Sequence, residues 1–406
     1  MDHDKFEGLV SRLEVSALRH PGRYIFSVIS VALLGFVILG VAIGFSVLSV
    51  ALLAGLAAAV VLTGGKALLV VAKLGKLVIL LALPAWTMMK SSITLLFSRF
   101  PPPQGREVQP QEAPALFARL AELRSKMKGP RVHKVLIVDE LNAAIVQHPR
   151  FGLLGWEKNY LILGLPLLSV LNEDEALAVV AHEYGHLSGY HGRLGGFIYR
   201  FRSAWGRLQA LSEQWNDWGS RLIARLFRWY APYFNAYTFV LARQNEYIAD
   251  KSAMEIAGAQ HVANALMRVR IAAHFEEEEF WPSIDRRIAH EPEPLRQRAQ
   301  YWAQSVQTVL DDEMRQRFLE KAARRATDHL DTHPSLRDRL AAMDITLHPE
   351  SAIALKPWQK NAAQVWLGTT LALIHTEFDE RWQSDVADKW RARHSYLKER
   401  HARLHA

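Results

Sequence analysis

The sequence contains no cysteine. Disulfides are therefore excluded, and so is any metal site built on thiolates. A second absence is positional: from Tyr24 to Thr63 there is no Asp, Glu, Lys or Arg. That run is about twice the ~20 residues one helix needs to cross a bilayer. Acids are also outnumbered, 41 against 49 Lys and Arg, for a formal net charge of +8. Such a charge suits anionic phospholipid and nucleic acid equally. The basic residues are scattered among acids rather than gathered into a stripe, so nucleic acid is discounted as a partner. No internal repeat is visible, and 406 residues leave room for two or three compact units.

The uncharged run predicts a transmembrane helical hairpin over 24–63, with spans Tyr24–Ile43 and Phe45–Thr63 meeting near Gly44. A cleavable signal peptide has a far shorter apolar core. A buried soluble hairpin would keep a polar side, which this run lacks. A third apolar stretch, Leu77–Met89, is short, contains Pro84 and sits between Lys76 and Lys90. Within 64–100 it reads as interfacial or re-entrant. Lys5, Arg12, Arg19 and Arg23 precede the hairpin, while Lys66, Lys73, Lys76 and Lys90 follow it. Basic flanks on both sides of two spans place residues 1–23 and the later domain in the cytoplasm.

Pro101-Pro102-Pro103 and the polar residues to Pro114 read as a linker, because consecutive prolines favour an extended spacer. Beyond it, Leu116–Lys128 has helical periodicity. Val132–Val138, Ala143–Gln147 and Tyr160–Leu163 read as strands, the last two as a hairpin. From Asn172 nearly everything reads as helix. The predicted class is α+β, predominantly α-helical, with a small β-sheet. The domain is expected over 115–350, and a helical extension over 351–406.

His182-Glu183-Tyr184-Gly185-His186 matches H-E-x-x-H. Positions i and i+4 share a helix face, so two imidazoles can grip one ion while the intervening Glu receives a proton from water. Five residues are a weak signal alone, so the surroundings matter. Asn172 with Glu175 three residues on is a capping-box signature. Ala176, Leu177, Val179 and Val180 then make an apolar helix. Burying two histidines and a carboxylate without a partner is costly, and a metal removes that cost. A catalytic zinc takes three protein ligands. Glu246 and Asp250, also i,i+4, offer one ligand and one group to orient a ligand histidine. The plainer reading is a pair of surface ion pairs with Arg243 and Lys251.

Taken together, these segments resemble the M48 family of zinc metallopeptidases, which includes HtpX-like membrane heat-shock proteases and CAAX prenyl proteases. The matching run is Asn142-Ala143-Ala144, Tyr160–Leu171, Asn172–His191, Glu246 with Asp250, then Thr332-His333-Pro334-Ser335 and Arg339. The resemblance implies a zincin-type domain binding one Zn2+ through His182, His186 and Glu246, with Glu183 as catalytic base. It implies Asp250 in support of the ligands, and His333 with Arg339 as the group facing the tetrahedral intermediate. Asn142, Ala143 and Ala144 would line the edge strand along which a peptide lies. It further implies a membrane-anchored zinc endopeptidase acting on polypeptides in membrane protein quality control, in the bacterial inner membrane as a multi-pass protein. Ala144-Ile145 departs from relatives that carry an aromatic after Asn-Ala. Arg193–Tyr237 is too charged for the additional spans that HtpX-like proteins place near this point.

Other features take plainer readings. His191 reads as structural, and His148, His290 and His375 lack a partner at metal spacing. The Glu276–Glu279 run reads as a solvated face, and Trp358, Trp366, Trp382 and Trp390 as helical packing. Two competing functions are a catalytically inactive zincin-fold scaffold and a transporter component. The first has no need of Glu183; the second lacks an intramembrane ionisable residue. The oligomeric state is not legible.

Overall fold

The computed structural model describes residues 3–66, 73, 75, 101–149, 157–187, 218–327, 333–348, 350–355 and 358–404. The expected Leu77–Met89 segment, Thr332 and His191 lie outside them. The chain divides into two compact units: one of residues 1–101, 148–157 and 193–244, the other of 102–147, 158–192 and 245–406.

In the first unit, helix α1 (His3–Arg19) is followed by α2 (Pro21–Leu62). The expected hairpin is not formed. Helix α2 runs unbroken through Gly44, for 42 residues. The physical reason is that Gly44-Phe45-Ser46 contains neither a proline nor a polar loop. One glycine costs only about 1 kcal/mol in a helix, too little to turn a chain whose neighbours are Ala, Val, Ile and Leu. Pro21–Ile38 is long and apolar enough to cross a membrane. Phe26, Leu33, Val37 and Val41 on α2 are exposed. A core of Val10, Leu13, Tyr24 and Val28 packs with Tyr230 and Phe234. Tyr24 donates to the Tyr237 carbonyl at 2.6 Å and Tyr230 to that of Val31 at 2.7 Å.

The second unit starts with β1 (Arg106–Val108), then α3 (Pro114–Met127), β2 (Lys134–Val138), β3 (Ala143–Pro149) and β4 (Glu157–Gly164). The sheet order is β1-β2-β4-β3. Strand β1 pairs antiparallel with β2, and β2 parallel with β4, Val135 opposite Leu161 and Ile137 opposite Leu163. Val135, Leu136 and Ile137 are all buried, as expected for a strand covered on both faces. The 101–114 segment, read as a linker, thus supplies a sheet strand. Its Arg106-Glu107-Val108 can ladder onto β2 because every proline of the segment, at 101–103, 110 and 114, lies outside those three residues. Strand β3 is at the sheet edge, and Gly164 N–H donates to the Asn142 carbonyl at 2.7 Å, joining the start of β3 to the end of β4.

Helices α4 (Leu165–Val170) and α5 (Glu173–Gly185) follow; α6 (Trp218–Ala257) begins in the first unit and ends in the second. Then come α7 (Ala259–Phe275), a π-helical turn (Glu276–Phe280), α8 (Trp281–Arg287), α9 (Arg298–Thr308) and α10 (Asp312–Arg324). Helices α11 (Leu336–Ala342), α12 (Ser351–Ala354), α13 (Ala362–Leu367) and α14 (Thr370–Leu404) complete the unit. Its core runs continuously from Leu116 and Ile137 through Ala181 and Phe275 to Trp366 and Trp390. The 351–406 extension therefore shares that core, with Trp366 1% exposed.

Candidate metal centre

Helix α5 is set by its ends. Asn172 accepts from the Glu175 N–H at 2.7 Å, and the Glu175 carboxylate accepts from the Asn172 N–H at 3.2 Å, a complete capping box. Glu175 is fully buried and also meets Arg268 at 3.2 Å. At the other end His186 keeps right-handed helical backbone, φ −64° and ψ −22°. The i,i+4 relation to His182 thus survives, and the two rings stand edge to face, 4.9 Å apart. Tyr184 turns the opposite way, buried, and donates to the Pro130 carbonyl.

Glu246 and Asp250 arrive on α6, 64 and 68 residues beyond His182. Glu246 Oε2 lies 3.6 Å from His182 Nε2, and Oε1 lies 3.5 Å from His186 Nε2. One donor atom from each of the three residues lies within 4.8 Å of the others, a group that could hold a metal ion. The separations themselves bear on the fit. They exceed good hydrogen bonds, yet are close to the ~3.3 Å edge of a tetrahedron whose ligands stand ~2.0–2.1 Å from zinc. Asp250 meets the other nitrogen of His182, Nδ1, at 2.8 Å. This carboxylate holds the Nδ1 proton, so that in the neutral ring Nε2 is the nitrogen left to bind an ion, the usual support of a ligating histidine. The residues present fit a divalent ion.

Two more groups complete the cluster. His333, on the exposed approach to α11, puts Nδ1 3.0 Å from Glu246 Oε2. Arg339, expected at the substrate, is instead buried, 8% exposed. Its guanidinium bonds both Asp250 oxygens, at 2.8 and 2.5 Å. Asn142, Ala143 and Ala144 lie at the start of edge strand β3, Asn142 exposed and the alanines half-buried.

The electrostatics follow from burial and charge. Desolvation pulls the His182 imidazole down, but Asp250 and Glu246 outweigh it and hold its pKa at about 9. His186, desolvated and beside His182, falls to about 4. Burial would raise Glu246, yet His182 and His333 hold it well below the carboxylate range. Glu183 goes the other way: desolvation raises it, only partly offset by His182 and by the Ile145 amide of β3. Two neighbouring carboxyl groups are thus pushed apart, one a permanent anion and one suited to carrying a proton.

Sequence reasoning overlooked Gly185. A β-carbon there would lie 3.1 Å from Ala249 Cα, so glycine lets α6 approach closely enough to deliver Glu246. The signal was available: a glycine inside a helical motif, where it costs helix stability, asks for a packing reason.

A family model described as Peptidase family M48 matches residues 128–346, more than half of the 406-residue chain. The chain belongs to peptidase family M48. No curated protein and no solved structure matches it. M48 peptidases are metal-dependent, and the matched region contains every residue of the cluster from His182 to Arg339. The donor set of the M48 domain is therefore a metal-dependent peptidase's: two imidazoles, one ionised carboxylate, and a separate carboxyl group adjacent to them.

Proposed function

We propose that the chain is a membrane-anchored, zinc-dependent endopeptidase. The observation that carries this reading is the convergence of His182, His186 and Glu246, with Glu183 kept apart from the ligand set. Bound zinc would acidify a water molecule and polarise the scissile carbonyl. Glu183 accepts the proton of the attacking water and later delivers it to the leaving amine. Its raised pKa brings it nearer the range in which both transfers are efficient. An extended peptide adds to β3 through main-chain hydrogen bonds, next to the Ile145 amide that already touches Glu183. His333 donates to the carbonyl oxygen as charge develops there, a contribution on the order of 3 kcal/mol.

Helix α2 supports the anchor. Its first 18 residues are apolar enough to span a bilayer, and Lys5, Arg12, Arg19 and Arg23 favour a cytoplasmic side for the preceding segment. We assign polypeptides as substrates, and damaged membrane proteins as the class that a bilayer-anchored peptidase meets most often. The test is Glu183→Gln in the full chain. The variant is expected to retain stoichiometric zinc by elemental analysis while casein hydrolysis falls by at least 10²-fold. Undiminished hydrolysis by the zinc-loaded variant removes Glu183 from the mechanism.

A further inference from the structure

We propose that Arg339 is a positioning residue of the metal centre: by gripping both oxygens of Asp250 it holds that carboxylate on Nδ1 of His182 and commits Nε2 to the ion. The inference rests on the metal-centre reading above and goes beyond it. Three helices distant in sequence meet in one line, with His182 on α5, Asp250 on α6 and Arg339 on α11. Arg339 Nε reaches Asp250 Oδ2 at 2.8 Å, and Nη2 reaches Oδ1 at 2.5 Å. Oδ1 in turn lies 2.8 Å from His182 Nδ1. The same Nη2 is 3.3 Å from Nδ1 and Nη1 is 3.8 Å from Glu246 Oε2.

An aspartate held at one oxygen can rotate about its terminal torsion and leave the imidazole. Held at both by the planar fork, it cannot. The imidazole then keeps its Nδ1 proton on the Asp250 side. Its other nitrogen faces Glu246. Burial argues for the same role. His182, Asp250 and Arg339 are 8%, 2% and 8% exposed. A buried ion pair stabilises a fold no better than apolar residues of the same shape. The pair's contact with a ligand histidine is what an apolar substitute would lack. Aim is set locally: Ser335 caps α11 by accepting from the Asp338 N–H at 3.2 Å, one residue before Arg339. With so little exposed surface, Arg339 acts through Asp250 and not on substrate.

The test is a double-mutant cycle on zinc affinity, measured on the purified full chain by competition with a chromophoric chelator. Arg339→Lys keeps the buried positive charge but loses the fork. It is expected to weaken zinc binding about 10–100-fold, as removal of such an outer partner does, and Asp250→Ala by a similar factor. Arg339→Lys in the Asp250→Ala background is expected to change affinity less than 3-fold, because the arginine's short bonds go to that carboxylate and its approach to the Glu246 oxygen is 3.8 Å. Arg339→Met, which removes the charge as well as the fork, is expected to weaken binding at least as much as Arg339→Lys; should it fail to fold, the lysine variant still decides. Wild-type affinity in Arg339→Lys, or losses that multiply in the double variant, would overturn the proposal. A wild-type protein that binds zinc no better than Glu246→Ala would instead overturn the metal-centre reading, and this proposal with it.

Discussion

Gly185 and Ala249 meet backbone to backbone: a β-carbon at position 185 would lie 3.1 Å from the Ala249 Cα and 3.4 Å from its Cβ. Ala249 is one residue before Asp250 and three after Glu246, so this contact sets the height of both carboxylates against the histidine pair. Gly185→Ala gains up to ~1 kcal/mol of helix propensity and loses about 1–3 kcal/mol to overpacking. Net stability should fall by up to about 2 kcal/mol while zinc affinity also falls, because α6 must retreat by a few tenths of an ångström. Paired thermal melts and chelator competition check this. Unchanged affinity would mean that the contact does not position Glu246.

Zinc capture should depend on pH in a way that the two histidines divide. Without an ion, His182 holds its proton up to about pH 9, whereas His186 stays neutral down to about pH 4. A raised imidazole pKa stabilises the ion-free fold fully below the ordinary value near 6.5. That contribution disappears as pH rises through about 9. Zinc binds the neutral ring and must displace the proton. Apparent affinity should therefore climb by about tenfold per pH unit from pH 6 to 8.5, then flatten. Calorimetry in buffers of different ionisation enthalpy should count close to one proton released at pH 7. A flat profile would place the proton elsewhere.

Gly164 closes β4 under the start of the edge strand. A β-carbon there would lie 1.8 Å from the Glu140 carbonyl oxygen and 2.7 Å from that of Asn142. Both are backbone atoms, which no rotamer change can move aside. Gly164→Ala should cost about 3 kcal/mol or more and displace residues 140–142. Peptide hydrolysis should fall with KM raised, since β3 is the strand assigned to substrate. Denaturant midpoints and steady-state kinetics read the two effects separately.

Arg268 is the counter-ion of the buried cap of α5, 3.2 Å from Glu175 and stacked 3.5 Å over Trp358. Burial raises the Glu175 carboxyl, and Arg268 offsets part of that rise. Arg268→Met strands a buried carboxylate and should cost about 3–5 kcal/mol at neutral pH. The sign of the pH dependence follows. A carboxyl whose folded pKa is raised destabilises in its ionised form, so the deficit should shrink as pH falls towards 4.5 and below. Glu175→Gln combined with Arg268→Met should recover much of the loss. A deficit independent of pH would assign it to lost stacking on Trp358.

Much of this protein was legible from its sequence because the relevant physics is local. The capping box at Asn172 and Glu175, the shared face of His182 and His186, and the strand character of Val135–Ile137 depend on spacings of two to four residues. The unbroken apolar run is local too, but its turn is not written in it. Nothing near Gly44 forces a reversal, and the chain runs through it as one helix. Long-range contacts belonged to the tertiary structure. Composition alone offered Glu246 and Asp250 equally as ligand and support; only the arrival of α6 beside α5 put Glu246 against both Nε2 atoms and Asp250 against Nδ1. Arg339, 157 residues from His182, became a buried clamp because α11 packs its guanidinium onto Asp250. Spacing along a chain determines which side chains share a face, whereas which two faces meet depends on how the whole core closes.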